Sequence, residues 1–515
     1  MTTNAAAKST ASFWRRCVIE AESRVDWLAA RAALTPDKLA LMIGQRRWTY
    51  GELDRLVNGL AAHLQAQGVQ PGDFVAVLLP NSLAYVCLIH ALARLDAVLI
   101  PLNTRLTAEE IAWQVGHVGA QWLVAQEKMA GVTGRWLTID DGGWQSAHPP
   151  AVDRQPLALD QLQCVVFTSG TSGRPKGAML TYGNHYASAQ ASAARLGVQA
   201  NDLWLSVLPL YHVGGLAVVW RSCLVGTAVD LHARFDLEAI NQALDSNPIT
   251  LISLVPTMLH RLLESRTTWP DTLRLILLGG AAASPELLQQ AQAAQLPVAT
   301  TYGLTEAASQ VATMLPPDVA RKPGSAGKPL PGTTIDIVDE NGRSLPPHTI
   351  GEIIVAGPTV MAGYWSAECG ARSVEYRLRT PHSALRTHAT GDMGYLDEDG
   401  DLWVVQRRSD LIVSGGENVY PAEVEAALKA HTTVANACVV GVPDPEWGQI
   451  VAALVQLKPD QTVTEAALLA FLREQLAGYK QPRRLRFTAE LPQTASGKIA
   501  RSAVTQIMAG PEVKG

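Results

Sequence analysis

Ten residues, Thr168-Ser169-Gly170-Thr171-Ser172-Gly173-Arg174-Pro175-Lys176-Gly177, follow directly on the apolar run Cys164-Val165-Val166-Phe167. Glycines let a backbone approach an anion closely, hydroxyls and amides donate hydrogen bonds, and Lys176 supplies charge. A strand feeding such a loop reads as a phosphate cradle. Pro175 before the lysine and Gly177 after it set the loop apart from the GxxxxGK[ST] pattern. A flexible surface turn is the plainer alternative.

Further along, Tyr302-Gly303-Leu304-Thr305-Glu306 gathers complementary groups. Tyr302 offers a flat face on which a purine could stack, an interaction worth about 1–3 kcal/mol. Thr305 can donate to a phosphate oxygen, and Glu306 is a hard oxygen ligand of the kind Mg²⁺ takes. In isolation a Thr-Glu pair serves as readily in a helix cap. Asp392, after Thr390-Gly391, suits a pair of vicinal ribose hydroxyls, although turn aspartates are common. Gly279-Gly280-Ala281-Ala282 follows an apolar strand and leaves the backbone flat enough to lie against a base. Arg221, in Val218-Val219-Trp220-Arg221, sits in an apolar run nine residues after His212. An unpaired arginine there is costly and needs an anionic partner. A bound carboxylate, an internal ion pair or a snorkelling surface position would each answer that need. His212 has two readings as well, a pocket wall or a satisfied core histidine.

These stretches, together with Arg407-Arg408-Ser409-Asp410-Leu411-Ile412-Val413-Ser414-Gly415-Gly416 and Thr494-Ala495-Ser496-Gly497-Lys498-Ile499-Ala500-Arg501, resemble in order and spacing the motifs of the acyl-adenylate-forming superfamily. Within it, Trp204 to Leu216, Leu277 to Gly280 and Arg408 to Val424 are similar to the o-succinylbenzoate-CoA ligases, which activate 2-succinylbenzoate for menaquinone or phylloquinone synthesis. The resemblance covers nearly the whole chain. It implies an AMP-forming acid-CoA ligase: acid and ATP give acyl-AMP and pyrophosphate, and acyl-AMP and CoA then give acyl-CoA and AMP. The substrates and cofactors implied are a small carboxylic acid, ATP, Mg²⁺ and coenzyme A.

The resemblance also assigns residues. Lys498 is the catalytic cation between carboxylate and α-phosphate, with Thr305 and His212 beside it. Thr168, Ser169, Gly170, Thr171, Ser172, Gly173, Lys176, Gly280, Ala281, Tyr302, Gly303, Asp392, Arg407, Gly415 and Gly416 hold nucleotide or CoA. Arg221, His212 and Gly279 face the acid, Glu306 and Thr171 the metal, and Ser409 is the hinge of a rotating C-terminal domain, a position where Asp or Lys is more common in the family. Cys369 to His388 lacks the Gly-Trp that many relatives carry before Thr390-Gly391-Asp392. A different acyl-CoA ligase acting on a fatty or aryl acid, a domain loading a carrier protein, and an inactive nucleotide-binding regulator are the competing readings. The first is disfavoured by a basic group at Arg221 and the last by the presence of Lys176, Glu306, Asp392 and Lys498 together.

Such a site needs an α/β scaffold, and the sequence supplies one. Phe74–Leu79, Ala97–Ile100, Leu203–Val207, Leu251–Leu254 and Leu275–Leu278 are short apolar runs. They alternate with helical patterns at Tyr85–Leu95 and Met258–Glu264, which implies parallel sheet covered on both faces. From about Ala326 the strands shorten and Gly-rich turns appear, suggesting an antiparallel, barrel-like subdomain. A small α+β unit follows Asp410. The expected division is an extension at 1–24, a large domain at 25–408 and a mobile domain at 409–515. The 515 residues are 47% hydrophobic and 17% charged with a net charge of −5, so no basic face points to nucleic acid. The apolar stretch Leu83 to Leu102 is broken by His90, Arg94 and Asp96, as in a buried helix and not a membrane span. Six cysteines without a CxxC pair read as reduced cytoplasmic thiols, and homo-oligomerisation is left open.

Overall fold

The structure, a computed structural model, describes residues 26–139, 144, 152, 157–168, 175–366, 386–406, 411–492 and 499–510. Besides a small antiparallel sheet, its larger part contains two mainly parallel sheets, not one. A nine-stranded sheet is parallel through its interior, where Leu39–Ile43, Ala228–Leu231, Leu203–Ser206, Leu251–Leu254, Leu275–Leu278 and Val298–Leu304 lie side by side. A seven-stranded sheet carries Leu162–Thr168, Val98–Pro101, Phe74–Leu78, Trp122–Ala125 and Arg135–Thr138 in parallel, with antiparallel strands at one edge.

Four helices, Tyr50–Gln67, Leu83–Arg94, Tyr182–Leu196 and Val213–Val225, fill the space between the sheets and share one apolar core with both. Successive strand residues point to opposite faces. Thus Leu275 and Leu277 enter this central core, while Ile276 and Leu278 pack outward against Leu259, Leu262, Leu287 and Leu288 of the outer helices. Both faces of each central strand are therefore dry, which explains the continuous apolar runs. The Leu83–Arg94 helix is buried along its whole length, and no helix among the described residues is long and apolar enough to cross a membrane.

The barrel-like unit expected after Ala326 takes the form of a four-stranded antiparallel sheet, Thr334–Val338, Gly351–Ala356, Thr387–Leu396 and Leu402–Gln406, paired in chain order. The last unit is a five-stranded sheet built around Val434–Asp444 and Gly448–Leu457, flanked by the helices Pro421–Ala430, Glu465–Gln475 and Arg501–Ala509. It has its own cores, one of them organised by Val424, Leu428, Val439, Val451 and Leu468. The proposed boundary and hinge, including Ser409, lie outside the described residues.

This last unit docks against the larger part through identifiable contacts. Lys480 Nζ lies 2.6 Å from Glu110 and 2.7 Å from Glu423. Glu110 also accepts the backbone N–H of Ala477 at 3.1 Å while closing the capping box of its own helix with Thr107. One carboxylate thus ends a helix and receives the neighbouring unit.

Candidate active site

The carboxyl ends of the parallel strands are where ligands bind in open α/β sheets, and most of the residues singled out above gather there. Two cavities meet at Thr301 on the strand Val298–Leu304. One, of about 790 Å³, runs from Ala281, Ala282 and Thr300–Tyr302 to Val439, Val440 and Arg501 of the C-terminal unit. The other, of about 870 Å³, holds Arg221, His212, Gly279, Gly280, Gly303 and Thr305, and is closed from the C-terminal side by Gly415, Gly416 and Glu417.

Tyr302 is buried, and its hydroxyl donates to Asp392 Oδ2 at 2.7 Å. The tyrosine, on the wall of the first cavity, and the aspartate, 90 residues away, are joined by this hydrogen bond. Glu306 is buried in a short 3₁₀ turn. Its Oε1 accepts from Tyr364 Oη at 2.7 Å and from Thr168 Oγ1 at 3.3 Å, and Oε2 has no hydrogen bond among the described residues. A buried carboxylate met only by neutral donors is suited to a hard cation. Lys176 opens the strand Lys176–Thr181, which pairs antiparallel with Leu162–Thr168, and its ammonium lies 5.2 Å from the Tyr364 ring centroid. The loop between them, Ser169 to Gly173 with Thr171, lies outside the described residues, as do Arg407 and Lys498.

In the second cavity the two glycine pairs face each other across Val255. A Cβ on Gly280 (φ +82°) would come within 3.1 Å of Val255 Cγ1, and one on Gly416 (φ +87°) within 3.3 Å of Val255 Cγ2. Both positions also need a left-handed backbone. Glycine is therefore required twice, once from each unit, for the C-terminal unit to sit this close.

His212 immediately precedes the helix Val213–Val225, and its Nε2 lies 3.1 Å from Glu417 Oε2. Arg105 Nη1 donates to Glu417 Oε1, also at 3.1 Å. Burial alone would raise the Glu417 pKa; His212 and Arg105 outweigh it and hold the carboxyl below its ordinary value. This bridge between units was not anticipated from sequence. Its signal is a single acid, Glu417, placed directly after a glycine pair that must enter the cavity.

Arg221 is buried, its guanidinium stacked 4.6 Å from the Trp204 ring centroid. Nη2 reaches Gln310 Oε1 at 3.4 Å, whereas Nε and Nη1 have no partner among the described residues. Burial with no anion beside it pushes its pKa down to about 9, so it remains a cation at neutral pH. Neither an internal ion pair nor snorkelling to solvent describes it. Gln310 was also missed, although an amide inside the run Gln310-Val311-Ala312-Thr313-Met314 marks a buried polar position.

Residues 28–365 match the family profile of AMP-binding enzymes, and residues 423–498 match the profile of the AMP-binding enzyme C-terminal domain. The chain is 42% identical to the 2-succinylbenzoate–CoA ligase of Geobacillus kaustophilus, over 94% of this chain and 98% of that protein. It is 41% identical to the 2-succinylbenzoate–CoA ligase of Bacillus licheniformis, over 92% and 98% respectively. Among solved structures, it superposes with a TM-score of 0.86 on a double mutant of o-succinylbenzoate CoA synthetase (MenE) from Bacillus subtilis bound with its product analogue OSB-NCoA. That pair shares 37% identity and covers 93% of this chain and 98% of the other. Against the Bacillus subtilis enzyme in complex with the acyl-adenylate intermediate OSB-AMP the TM-score is 0.69, again at 37% identity, covering 93% and 97%. At equal identity, the overall superposition is closer on the product-analogue complex. The chain belongs to the AMP-binding enzyme family.

Proposed function

We propose that this protein is an ATP-dependent 2-succinylbenzoate–CoA ligase that works in two half-reactions. The aliphatic carboxylate attacks the α-phosphorus of ATP and pyrophosphate leaves. The thiol of CoA then attacks the acyl carbonyl, loses its proton, and AMP leaves. No protein nucleophile is required. The observation that carries the reading is Arg221, a buried cation with unpaired donors in the wall of a cavity next to the nucleotide side. 2-Succinylbenzoate has a second, aromatic carboxylate that is not activated, and a buried bare anion costs several kcal/mol. The anion and the cation relieve each other. A plain hydrocarbon acid would leave Arg221 uncompensated.

The nucleotide fits the remaining groups: Tyr302 against the purine, Asp392 at the ribose, and Lys176 with Thr168 to Gly173 at the phosphates. Glu306 and Thr171 would hold Mg²⁺, which when bound offsets phosphate charge. Lys498 serves adenylation by stabilising the two approaching anions, and the face Ser414-Gly415-Gly416 replaces it when CoA attacks. The seating of Gly415 and Gly416 in the cavity that holds Arg221 and His212 supports such an exchange, with Ser409 as the pivot.

Pyrophosphate release measured across a panel of acids, with and without CoA, tests the substrate. Release with 2-succinylbenzoate, with thioester appearing only when CoA is added, is expected. Release with fatty acids but not with 2-succinylbenzoate would refute it. Lys498→Ala tests the mechanism separately: adenylation should be lost, while thioester formation from supplied acyl-adenylate survives.

A further inference from the structure

The polar contacts around Arg221 form a closed chain of donors and acceptors that fixes which end of Gln310 meets it. Thr301 Oγ1 donates to the carbonyl of Ala312 at 2.8 Å, and Thr313 Oγ1 lies 2.9 Å from Thr301 Oγ1. With the Thr301 proton committed to Ala312, Thr313 donates to Thr301, and both hydroxyl oxygens are left as acceptors. Gln310 Nε2 lies 3.0 Å from Thr313 Oγ1 and 3.5 Å from Thr301 Oγ1, so the amide nitrogen belongs at this end. The amide oxygen then faces the other way, where it accepts from the buried Ser192 hydroxyl and from Arg221 Nη2. Gln310 is held in the strand Ser309–Met314, entered through two non-glycine residues of positive φ, Ala308 (51°) and Ser309 (105°). The register shift opposite Gly303 brings Gln310 to the cavity wall.

Gln310 and glutamate have nearly the same shape but opposite consequences here. A carboxylate at this position would pair with Arg221 inside the protein and leave nothing for a ligand to neutralise. The amide instead steadies one edge of the guanidinium with a neutral acceptor and leaves its charge available.

We infer that Gln310 is a specificity-determining residue: by being uncharged beside Arg221 it keeps the cavity selective for acids that carry a second carboxylate. Resting on the diacid reading proposed above, this assigns the selectivity to a pair of side chains, one charged and one deliberately uncharged. Ser192 acts through Gln310 as a positioning residue, since its hydroxyl occupies the second lone pair of the amide oxygen.

The test compares 2-succinylbenzoate with 4-oxo-4-phenylbutanoate, which is the same acid without the aromatic carboxylate, in the full-length protein. The wild type should prefer the diacid in kcat/KM by about 100-fold or more, since truncating one partner of a buried charge pair costs on that scale. If the wild type turns over both equally, the diacid reading fails before Gln310 is in question. With that preference established, Gln310→Glu should lower kcat/KM for the diacid by about 100-fold and hold or raise it for the monoacid, leaving the KM for ATP unchanged. A fall of both acids by the same factor, with their ratio preserved, would mean that Gln310 is only structural and overturns the inference. Gln310→Leu supplies the second arm, which reads out even if the glutamate variant does not fold. It removes the amide but adds no charge, so the diacid preference should persist. Loss of that preference in Gln310→Leu would show that the amide itself binds the second carboxylate, and would equally overturn the inference.

Discussion

Arg94 and Arg221 both sit on helices of the layer between the two sheets and are both removed from water, yet their surroundings are opposite. Arg94 Nε lies 2.6 Å from Asp26 and its Nη2 lies 2.5 Å from Asp54, with further contacts to the Asp54 carbonyl and Asn58. Burial would depress its pKa, but the two aspartates more than reverse this and hold it above the ordinary value. Asp26 responds in kind. Burial pushes its carboxyl up, Arg94 and a backbone N–H pull it down, and the net direction is down. Arg221 has one neutral oxygen and an indole ring for company, and burial alone sets the direction of its shift. A folded chain can bury an arginine either by bringing its own counter-ions or by leaving that task to a ligand. The first arginine fastens the helix Trp27–Leu34 to the two helices behind it; the second has no counter-ion among the described residues.

Removing each cation should break the comparison in different currencies. Arg94→Met removes the shared cation from Asp26 and Asp54, whose side chains are 10% and 20% exposed, so the cost should reach up to about 3 kcal/mol, the low end for a broken buried pair. Denaturant unfolding should show that loss, with the KM for acid and ATP unchanged in the protein that remains folded. A loss below about 1 kcal/mol would mean that the network is not structural. Arg221→Met exchanges an uncompensated charge for an apolar side chain and leaves no carboxylate behind. Its stability should equal or exceed that of the wild type. What falls is kcat/KM for 2-succinylbenzoate, by about 100-fold, with the KM for ATP unmoved. Equal effects on both substrates would take Arg221 out of the acid site.

How much of this contrast was legible from the sequence depends on the distance over which it is decided. Leu251–Leu254 and Leu275–Leu278 announce themselves as strands, because a strand dry on both faces must be apolar throughout. The division into two sheets was not visible, since strand order is set by crossovers between segments far apart in the chain. The motif residues Tyr302, Glu306 and Asp392 were found by type and order, and the structure brings the first and last into direct contact. Arg94 and Arg221 each lie in an apolar run, Arg94 with His90 and Asp96 in the same stretch. Arg94 is told apart only by Asp54, 40 residues away, and Asp26, 68 residues away. Glu417 was passed over because its partners, His212 and Arg105, are 205 and 312 residues distant. Lys498, Arg407 and Ser409 lie outside the described residues, and their roles rest on resemblance.

Alkaline titration sharpens the comparison by a smaller amount. Arg221 begins to lose its proton in the free protein as pH passes about 9, and must take it back to hold a second carboxylate. The KM for 2-succinylbenzoate should therefore rise by roughly fivefold between pH 9 and 10, while the KM for 4-oxo-4-phenylbutanoate shows no such step. The sign is fixed by the charge of the ligand. A dianion needs the protonated arginine, so its affinity is present below the arginine's pKa and lost above it. Arg94, its pKa held above the ordinary arginine value by its aspartates, adds nothing in this range. Parallel rises for both acids would point to another group in the site.

The smallest effect belongs to a charge pair intermediate between the two arginines. Glu417 is buried like Arg94, but its partners are half-open: the Arg105 side chain is 45% exposed and that of His212 is 42% exposed. Such a pair is worth little by itself, about 1 kcal/mol or less. It is made across the two units, however, so its energy acts on their arrangement more than on folding. Glu417→Gln keeps the shape and removes the charge. In the exchange proposed above, Glu417 meets His212 and Arg105 only while Gly415 and Gly416 are seated against the cavity, and the loss should fall on that arrangement alone. Thioester formation from supplied acyl-adenylate and CoA should slow by about three- to fivefold, pyrophosphate release in the first half-reaction should keep its rate, and the unfolding midpoint should hold. Slowing of the first half-reaction by the same factor would show that the pair supports both arrangements, and that the docked contact has no preference between them.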